Sequence, residues 1–546
     1  ILNPSENNSF IKLANSKKYL FVDKTDFIEH INERINEDNC FLAITRPRRF
    51  GKTVTAHMLS AYYSKGYAGK NIFDNLEIAN KPSFDEHLNK YDVIYIDMNS
   101  ICGLYKGYLK KDNKISGVKT LIDYLEYSII TDLREREDFA ECFKKHQTEN
   151  IGLLEALSNL RNDLNAQFIF IMDEWDLIYR DYRNDTQLQE DFINLLRDLF
   201  KSDGGQACFA LAYLTGILPI KKYNSQSALN VFKEYNMLSP EPYEKYFGFT
   251  EEEVAEIVKV PQCKISHQEL KEWYEGYKLN GIDIYNPNSV VSAISDCKCK
   301  SYWSGTSSNE EVVRLINMNF RGIKNDITKL IDGIKIPFNS NNFQNDMVTI
   351  KDKNDIFSLL VCLGYLGCSE RNNGLKLAYV PNQEIKQTLL SIVRGQKWSR
   401  RTEIVKRSEM LLNSIIKKPD ENKVAEIIQE IHNSTAVSLL DYNDEESLTY
   451  CVMTGLLWST LDDYNYHRED QAGKGRVDLV YEPITDKLPL ILIEFKYDSS
   501  AEEAINQIKT KEYFKRYTGQ YHNTVIVGIN YSTKTKEHQC MIERLD

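Results

Sequence analysis

The stretch Phe41-Leu42-Ala43-Ile44-Thr45-Arg46-Pro47-Arg48-Arg49-Phe50-Gly51-Lys52-Thr53 decides how the N-terminal half reads. Phe41–Thr45 is a near-continuous apolar run, the composition of a strand buried on both faces of a parallel sheet. An amphipathic helix reads over 53–63. Between the two, Gly51, Lys52 and Thr53 fit the end of a GxxxxGK[ST] phosphate loop, with strand and helix correctly placed on either side. The first glycine of that pattern is Arg46 here, so the Lys52/Thr53 end carries the match better than the start of the loop. In such a loop the backbone N–H groups at the helix start point at phosphates. Lys52 would reach the β- and γ-phosphates and Thr53 would hold Mg²⁺. Gly51 lets the backbone approach closely, and Arg46, Arg48 and Arg49 add positive charge.

A GKT at a strand-to-helix turn is weak evidence alone. A second apolar strand, 168–172, ends in Asp173-Glu174 about 120 residues later. An acid at the C-terminal end of a parallel strand faces the crevice where ligands of open α/β sheets bind. Asp173 is expected in the Mg²⁺ shell, and Glu174 is expected to orient or deprotonate the attacking water. A third run, 208–214, ends in Thr215-Gly216, where Thr215 could touch the γ-phosphate or simply end a strand. With 93–98 as a further strand and helices such as 187–200 between strands, residues 1–240 read as a three-layer α/β domain.

Residues 241–439 read differently. Helical stretches dominate, broken at Asn286-Pro287 and near 339–345, with a helix over 356–366 and a strand over 375–380. We expect one helical middle region, with room for a small winged-helix-like unit. A basic helical stretch, 396–418, reads as an arm into the last domain.

From 440 the order is helix (445–461), strand (477–481), strand (490–496), helix (501–517), strand (524–530). Asp478 and Glu494-Phe495-Lys496 form a D-x15-E-x-K pattern. Glu494 and Lys496 share a face because strand side chains alternate. If the two strands pair as a hairpin, Asp478 joins them. Two carboxylates then bind Mg²⁺ or Mn²⁺ with water filling the other positions. Such a metal activates water against a phosphodiester, with Lys496 positioning that water. Glu446 could add a ligand and Gln507 faces in. Lys509, Lys511, Lys515 and Arg516 are available for phosphates.

The totals set bounds. The 546 residues suggest two to four domains, and 42% apolar content supports ordinary cores. No apolar run approaches the length of a membrane helix, and residues 1–10 do not read as a signal peptide. The 11 cysteines form no CxxC pair, so reduced thiols in a cytoplasmic protein are expected. A net charge of −11 argues against a simple nucleic-acid coat protein, but not against an enzyme that meets nucleic acid through a local patch.

Taken together, these residues resemble the bacterial and archaeal AAA-ATPase-like proteins fused to a C-terminal PD-(D/E)XK nuclease domain. The N-terminal signals are Phe21-Val22-Asp23-Lys24-Thr25, the Arg46–Thr53 loop in its non-glycine form, and Met172-Asp173-Glu174. The middle signals are Trp273-Tyr274-Glu275-Gly276-Tyr277, Tyr285-Asn286-Pro287-Asn288-Ser289-Val290 (the family usually has Trp at the place of Asn288) and Tyr302-Trp303. The C-terminal signals are Glu446 before Gly455-Leu456-Leu457, Gly475-Arg476-Val477-Asp478, Glu494-Phe495-Lys496 and Gln507. The resemblance implies a P-loop NTPase fold, ATP and Mg²⁺, and a restriction-endonuclease-like C-terminal fold. It carries Lys52, Thr53, Asp173 and Glu174 to nucleotide chemistry, and Glu446, Asp478, Glu494, Lys496 and Gln507 to a nuclease site.

Three functions compete. The first is an ATP-regulated, metal-dependent nuclease, with DNA the expected substrate. The second is a nucleotide-gated binding or signalling protein whose nuclease fold is catalytically silent. The third is an ATPase acting on protein partners. The sequence leaves DNA versus RNA, the arginine finger and the oligomeric state open.

Overall fold

The structure is a computed structural model. It describes residues 8–545 apart from 17–19, 66–69, 112–114, 147–150, 221–228, 262, 304–307, 319, 321–322, 332, 341–342, 344–349, 371–374, 396–398, 435–444, 461–462, 473, 486, 518–520 and 522. The chain divides into two compact units, Ile1–Gly395 and Gln396–Asp546.

The first unit is built on a five-stranded sheet. Its strands are β1 (Phe41–Thr45), β2 (Asp92–Asp97), β3 (Phe168–Asp173), β4 (Phe209–Gly216) and β5 (Lys233–Tyr235), in the order β2-β3-β4-β1-β5. Every neighbouring pair is parallel. A parallel sheet must be covered on both faces, which explains the unbroken apolar runs of β1, β3 and β4. Phe41, Ala43, Phe170 and Met172 pack under helices Leu121–Arg134, Leu153–Leu164 and Thr186–Lys201. Leu42, Ile44, Ile169 and Ile171 point the other way, against helix Lys52–Tyr63. Because all five strands run the same way, the loops after β1 and β3 open on one edge. Across that edge Asp97, Asp173 and Thr215 lie in register.

The rest of the unit is mainly helical, with two small antiparallel sheets. One has β6 (Phe249–Thr250), β7 (Tyr277–Leu279) and β8 (Ile282–Tyr285). The other has β9 (Ile336–Phe338), β10 (Gly367–Glu370) and β11 (Lys376–Tyr379). The short strands β5 to β10 escaped the sequence reading because pieces of two to four residues show no measurable alternation.

The second unit holds a mixed sheet of β12 (Tyr464–Ala472), β13 (Gly475–Pro483), β14 (Leu490–Tyr497), β15 (Thr524–Ser532) and β16 (Glu537–Leu545), in chain order. Only β14 and β15 are parallel, joined through helix Ala501–Thr510. That helix covers one face over Val480, Leu490 and Leu492. Helices Ser399–Ile416, Glu421–Ser434 and Glu445–Thr460 cover the other, over Leu479, Ile491, Ile493 and Phe495. The helices of 399–434, grouped by sequence with the middle region, therefore pack within this unit. Strands β12 and β16 were not read from sequence. Both are edge strands, and β12 (Tyr-Asn-Tyr-His-Arg-Glu-Asp-Gln-Ala) is almost wholly polar. The helix expected over 501–517 stops at Thr510, and a 3₁₀ turn, Tyr513–Tyr517, follows. Glu512 lies between them in the left-handed region, φ 56°, which breaks the helix.

Candidate nucleotide and nuclease sites

The loop after β1 turns sharply because Arg49 and Gly51 take positive φ, 70° and 87°. Gly51 caps the helix that begins at Lys52, in the left-handed conformation from which anion-binding turns are built. Motifs from farther along the chain hold the outer side of the loop. Phe50 meets Tyr277 edge-on at 5.2 Å between ring centres. Arg49 donates to the Tyr302 carbonyl. Any side chain at Gly364 would collide with Pro47 and Trp303. Tyr302 and Trp303 are fixed in turn by Glu384, which accepts their backbone N–H groups at 2.7 and 3.1 Å. Burial pushes the Glu384 carboxyl up to about 7.

Within this frame lies a cavity of about 760 Å³, within the range of small-molecule sites. Its polar end holds Arg48, Lys52, Thr53, Glu174 and Arg180. Phe21, Val22, Phe249, Pro287 and Val291 line an apolar part. The Lys52 ammonium is buried and donates to the Pro47 carbonyl at 2.8 Å. Burial lowers its pKa, against the pull of Glu174, Asp173 and Asp176. Asp173 is 1% exposed. Burial pushes its carboxyl up to about 6, with Glu174 and Asp97 adding to the effect, while a hydrogen bond with Thr53 and the Lys52 charge oppose it. Glu174 follows in the left-handed region, φ 57°, and its carboxylate is bound by Arg180.

Two of the predicted residues stand elsewhere. Arg46 is fully buried away from the cavity lining, where it donates to the carbonyls of Thr45, Tyr235 and Tyr243 and packs on Phe247. Burial lowers its pKa to about 10. It pins the start of the loop to β5 and the segment beyond. Thr215 spends its hydroxyl on the Ile44 carbonyl at 2.8 Å, inside the sheet.

In the C-terminal sheet, β13 and β14 pair only as far as Leu479↔Ile493. Beyond that the strands part, and the Asp478 carboxylate takes the place of the ladder by accepting the Phe495 N–H at 2.7 Å. Glu469, in the left-handed region opposite, interrupts the β12–β13 ladder at the same level. Glu494 is 1% exposed, and Gln507 donates to its Oε1. Lys496 Nζ lies 3.7 Å from the same oxygen. Gly528 sits beside Glu494 in register, and a Cβ there would fall on the Ala501 carbonyl. This close approach lets the helix carry Gln507 down onto Glu494. Gln507 also donates to the Tyr513 hydroxyl at 3.3 Å, and burial raises the Tyr513 pKa, with Glu494 and Asp478 adding to it. Tyr513 carried no sequence signal, because a lone Tyr after a helix reads as packing. Asp478, Glu494, Lys496 and Gln507 thus converge. Glu446 lies in helix Glu445–Thr460, with its side chain outside the described residues. Lys509 is paired with Glu543 and Lys515 with Glu512.

Comparison with known proteins gives the class of each half. Residues 6–224 match the family described as a predicted AAA-ATPase, and residues 444–540 match the PD-(D/E)XK nuclease superfamily. The chain is a fusion of an AAA-ATPase-like domain with a PD-(D/E)XK nuclease superfamily domain. An uncharacterized protein in the vnfD 5′ region of Azotobacter chroococcum mcd 1 is 22% identical over 311 residues, 56% of this chain. The chain spans about half, 54%, of that relative's length. A structure of the Aeropyrum pernix ORC2 protein in ADPNP and ADP complexes aligns with 70% of this chain and 97% of its own. Its identity is 12% and its TM-score 0.26, too low to carry an argument. No helix among the described residues is long and apolar enough to cross a membrane.

Proposed function

We propose that the N-terminal cavity binds and hydrolyses ATP, and that the C-terminal site cleaves nucleic-acid phosphodiester bonds, DNA foremost, under nucleotide control. The convergence of Lys52, Thr53 and Glu174 on one cavity, with Asp173 hydrogen-bonded to Thr53, carries the first part. The donor set also suits Mg²⁺. A buried carboxyl whose pKa stays raised despite the Lys52 charge is a group that a further cation would hold in its ionised form. Thr53 and Asp173 would hold that ion. Lys52 and the loop N–H groups bind the β- and γ-phosphates. Glu174 orients the attacking water and accepts its proton.

In the C-terminal unit the buried Glu494 and half-buried Asp478 suit a divalent cation, Mg²⁺ or Mn²⁺, with Glu446 the candidate further ligand. Such an ion, when bound, lowers the pKa of water and neutralises charge on the scissile phosphate. Lys496 positions the attacking water and stabilises charge at the phosphate. Gln507 holds the Glu494 carboxylate in place, and Tyr513 holds Gln507. The free cysteines agree with a cytoplasmic setting. The net charge of −11, and the pairing of Lys509 and Lys515 to acids, favour a second reading in which the C-terminal unit recognises a partner without cutting. The test is ATP hydrolysis and plasmid cleavage by wild type, Lys52→Ala and Asp478→Asn. Loss of ATP turnover in the first variant and of cleavage in the second supports the proposal. Cleavage that survives Asp478→Asn overturns the nuclease assignment.

A further inference from the structure

Arg180 stands in a short helix, Leu177–Asp181, that directly follows the acidic end of β3. It is almost fully buried yet lines the cavity together with Glu174, Arg48 and Lys52. The root of its guanidinium is fixed, with Nε 2.9 Å from Asp176 Oδ2. Asp176 is itself immobilised, because it is wholly buried and accepts the N–H groups of Ile217 and Leu218 at 3.2 and 2.9 Å. The close approach of Gly216 to Asp176, where a Cβ would not fit, keeps that carboxylate tight against the end of β4. The far end of the guanidinium grips the carboxylate of Glu174.

The geometry points to Arg180 as a γ-phosphate sensor, acting in the same chain, that sequesters Glu174 until a nucleoside triphosphate enters the cavity. The inference rests on the ATPase reading above. Arg48, Lys52 and Arg180 line the cavity with Glu174, and Asp181 contributes a second carboxylate to the lining. The γ-phosphate of a triphosphate adds negative charge next to Lys52. It competes with Glu174 for the movable end of Arg180, while Asp176 keeps the other end anchored. The exchange swaps one ion pair for another and breaks no covalent bond. Glu174, once released, is able to accept the proton of a water. After hydrolysis and loss of phosphate, Arg180 returns to Glu174. A diphosphate places no charge at that position and leaves the pair closed. The anchor separates Arg180 from a residue that merely fills space, since Asp176 fixes its base and leaves its tip a choice of two anions.

The experiment measures binding of ADP and of the β,γ-imido analogue of ATP by calorimetry, with Mg²⁺, in full-length wild type, Arg180→Ala, Arg180→Lys, Glu174→Gln and the Arg180→Ala/Glu174→Gln double variant. The readout is the ratio of triphosphate to diphosphate affinity. Arg180→Ala is expected to lower that ratio about tenfold or more, the weight of one charge-assisted hydrogen bond, with ADP affinity held within about threefold. Arg180→Lys retains part of the ratio. Glu174→Gln raises it, because Arg180 no longer has a carboxylate to leave, and in the double variant that gain shrinks or disappears. A ratio unmoved by both Arg180→Lys and Glu174→Gln, in protein that still binds ADP, overturns the inference even if Arg180→Ala does not fold. Failure of the wild type to bind either nucleotide would instead overturn the ATPase reading on which it rests.

Discussion

Replacing Asp173 with Asn should stabilise the protein when nucleotide and metal are absent. Asp173 is nearly inaccessible at the end of β3, and burial, reinforced by Glu174 and Asp97, raises its carboxyl from 3.8 to about 6. The sign follows from linkage. A carboxyl that binds its proton more tightly when folded is a burden at neutral pH, where it must be ionised, and that burden disappears as pH falls through 6 toward 3.8. A shift of about two units corresponds to about 3 kcal/mol, at about 1.4 kcal/mol per unit. Asn removes the charge, and its side-chain oxygen can still accept the Glu174 N–H that Asp173 accepts at 3.0 Å. Urea unfolding in EDTA should therefore show Asp173→Asn more stable than wild type at pH 7.5, by up to about 3 kcal/mol. The gap should narrow steadily to pH 5. Addition of Mg²⁺ and ATP should reverse the order, because only the wild type gains from the cation. A variant less stable than wild type at pH 7.5 without metal, or a gap independent of pH, would show that the buried Asp173 charge does not destabilise the fold.

Other outcomes follow from single contacts. Lys52→Ala should abolish ATP turnover and weaken nucleotide binding by about tenfold or more, as measured by calorimetry, since it removes the charged donor at the phosphates. Gly528→Val should destabilise the C-terminal unit by about 1–3 kcal/mol and reduce cleavage, because its Cβ meets the Ala501 carbonyl and lifts Gln507 from Glu494. His538 is packed beside His432 and Tyr531, with Gln429 on its Nδ1, and burial depresses its pKa from 6.5 to about 3. The folded state therefore stays neutral while the unfolded chain takes up a proton. Stability of that unit should fall by up to about 1.4 kcal/mol per pH unit from 6.5 downward. His538→Phe should flatten this slope in unfolding measured between pH 7 and 4.5.

The parts that sequence made legible are those where a chemical requirement and a structural period coincide. β1 reads correctly because a strand buried on both faces must be apolar at every position, and Gly51-Lys52-Thr53 follows it at the only place a phosphate loop suits. Asp478 and Glu494 fall at the same end of the β13–β14 hairpin, a placement that the strand pattern suggests by itself. Thr215 and Arg46 show where local reading stops. Both have the right residue type beside the loop, yet the fold spends their polar atoms on backbone carbonyls. The wall of the N-terminal cavity was visible only as unexplained family motifs. Phe21, Val22, Pro287 and Asn288 lie far apart in sequence and meet through tertiary packing, which no periodicity encodes. The edge strand β12 was missed for a different reason. Its polar composition suits an edge that must not pair further, and that same composition reads as loop.

In the proposed function the Asp478, Glu494 and Lys496 site cuts nucleic acid under nucleotide control. The most direct measurement incubates wild type and Glu494→Ala protein with plasmid, linear and single-stranded DNA and with RNA. Each is run with Mg²⁺ or Mn²⁺, with and without ATP. Cleavage of DNA by wild type alone is expected, only with divalent metal and at a rate that changes with ATP. Equal cleavage by Glu494→Ala, or none by wild type under any of these conditions while ATP is still hydrolysed, would contradict it.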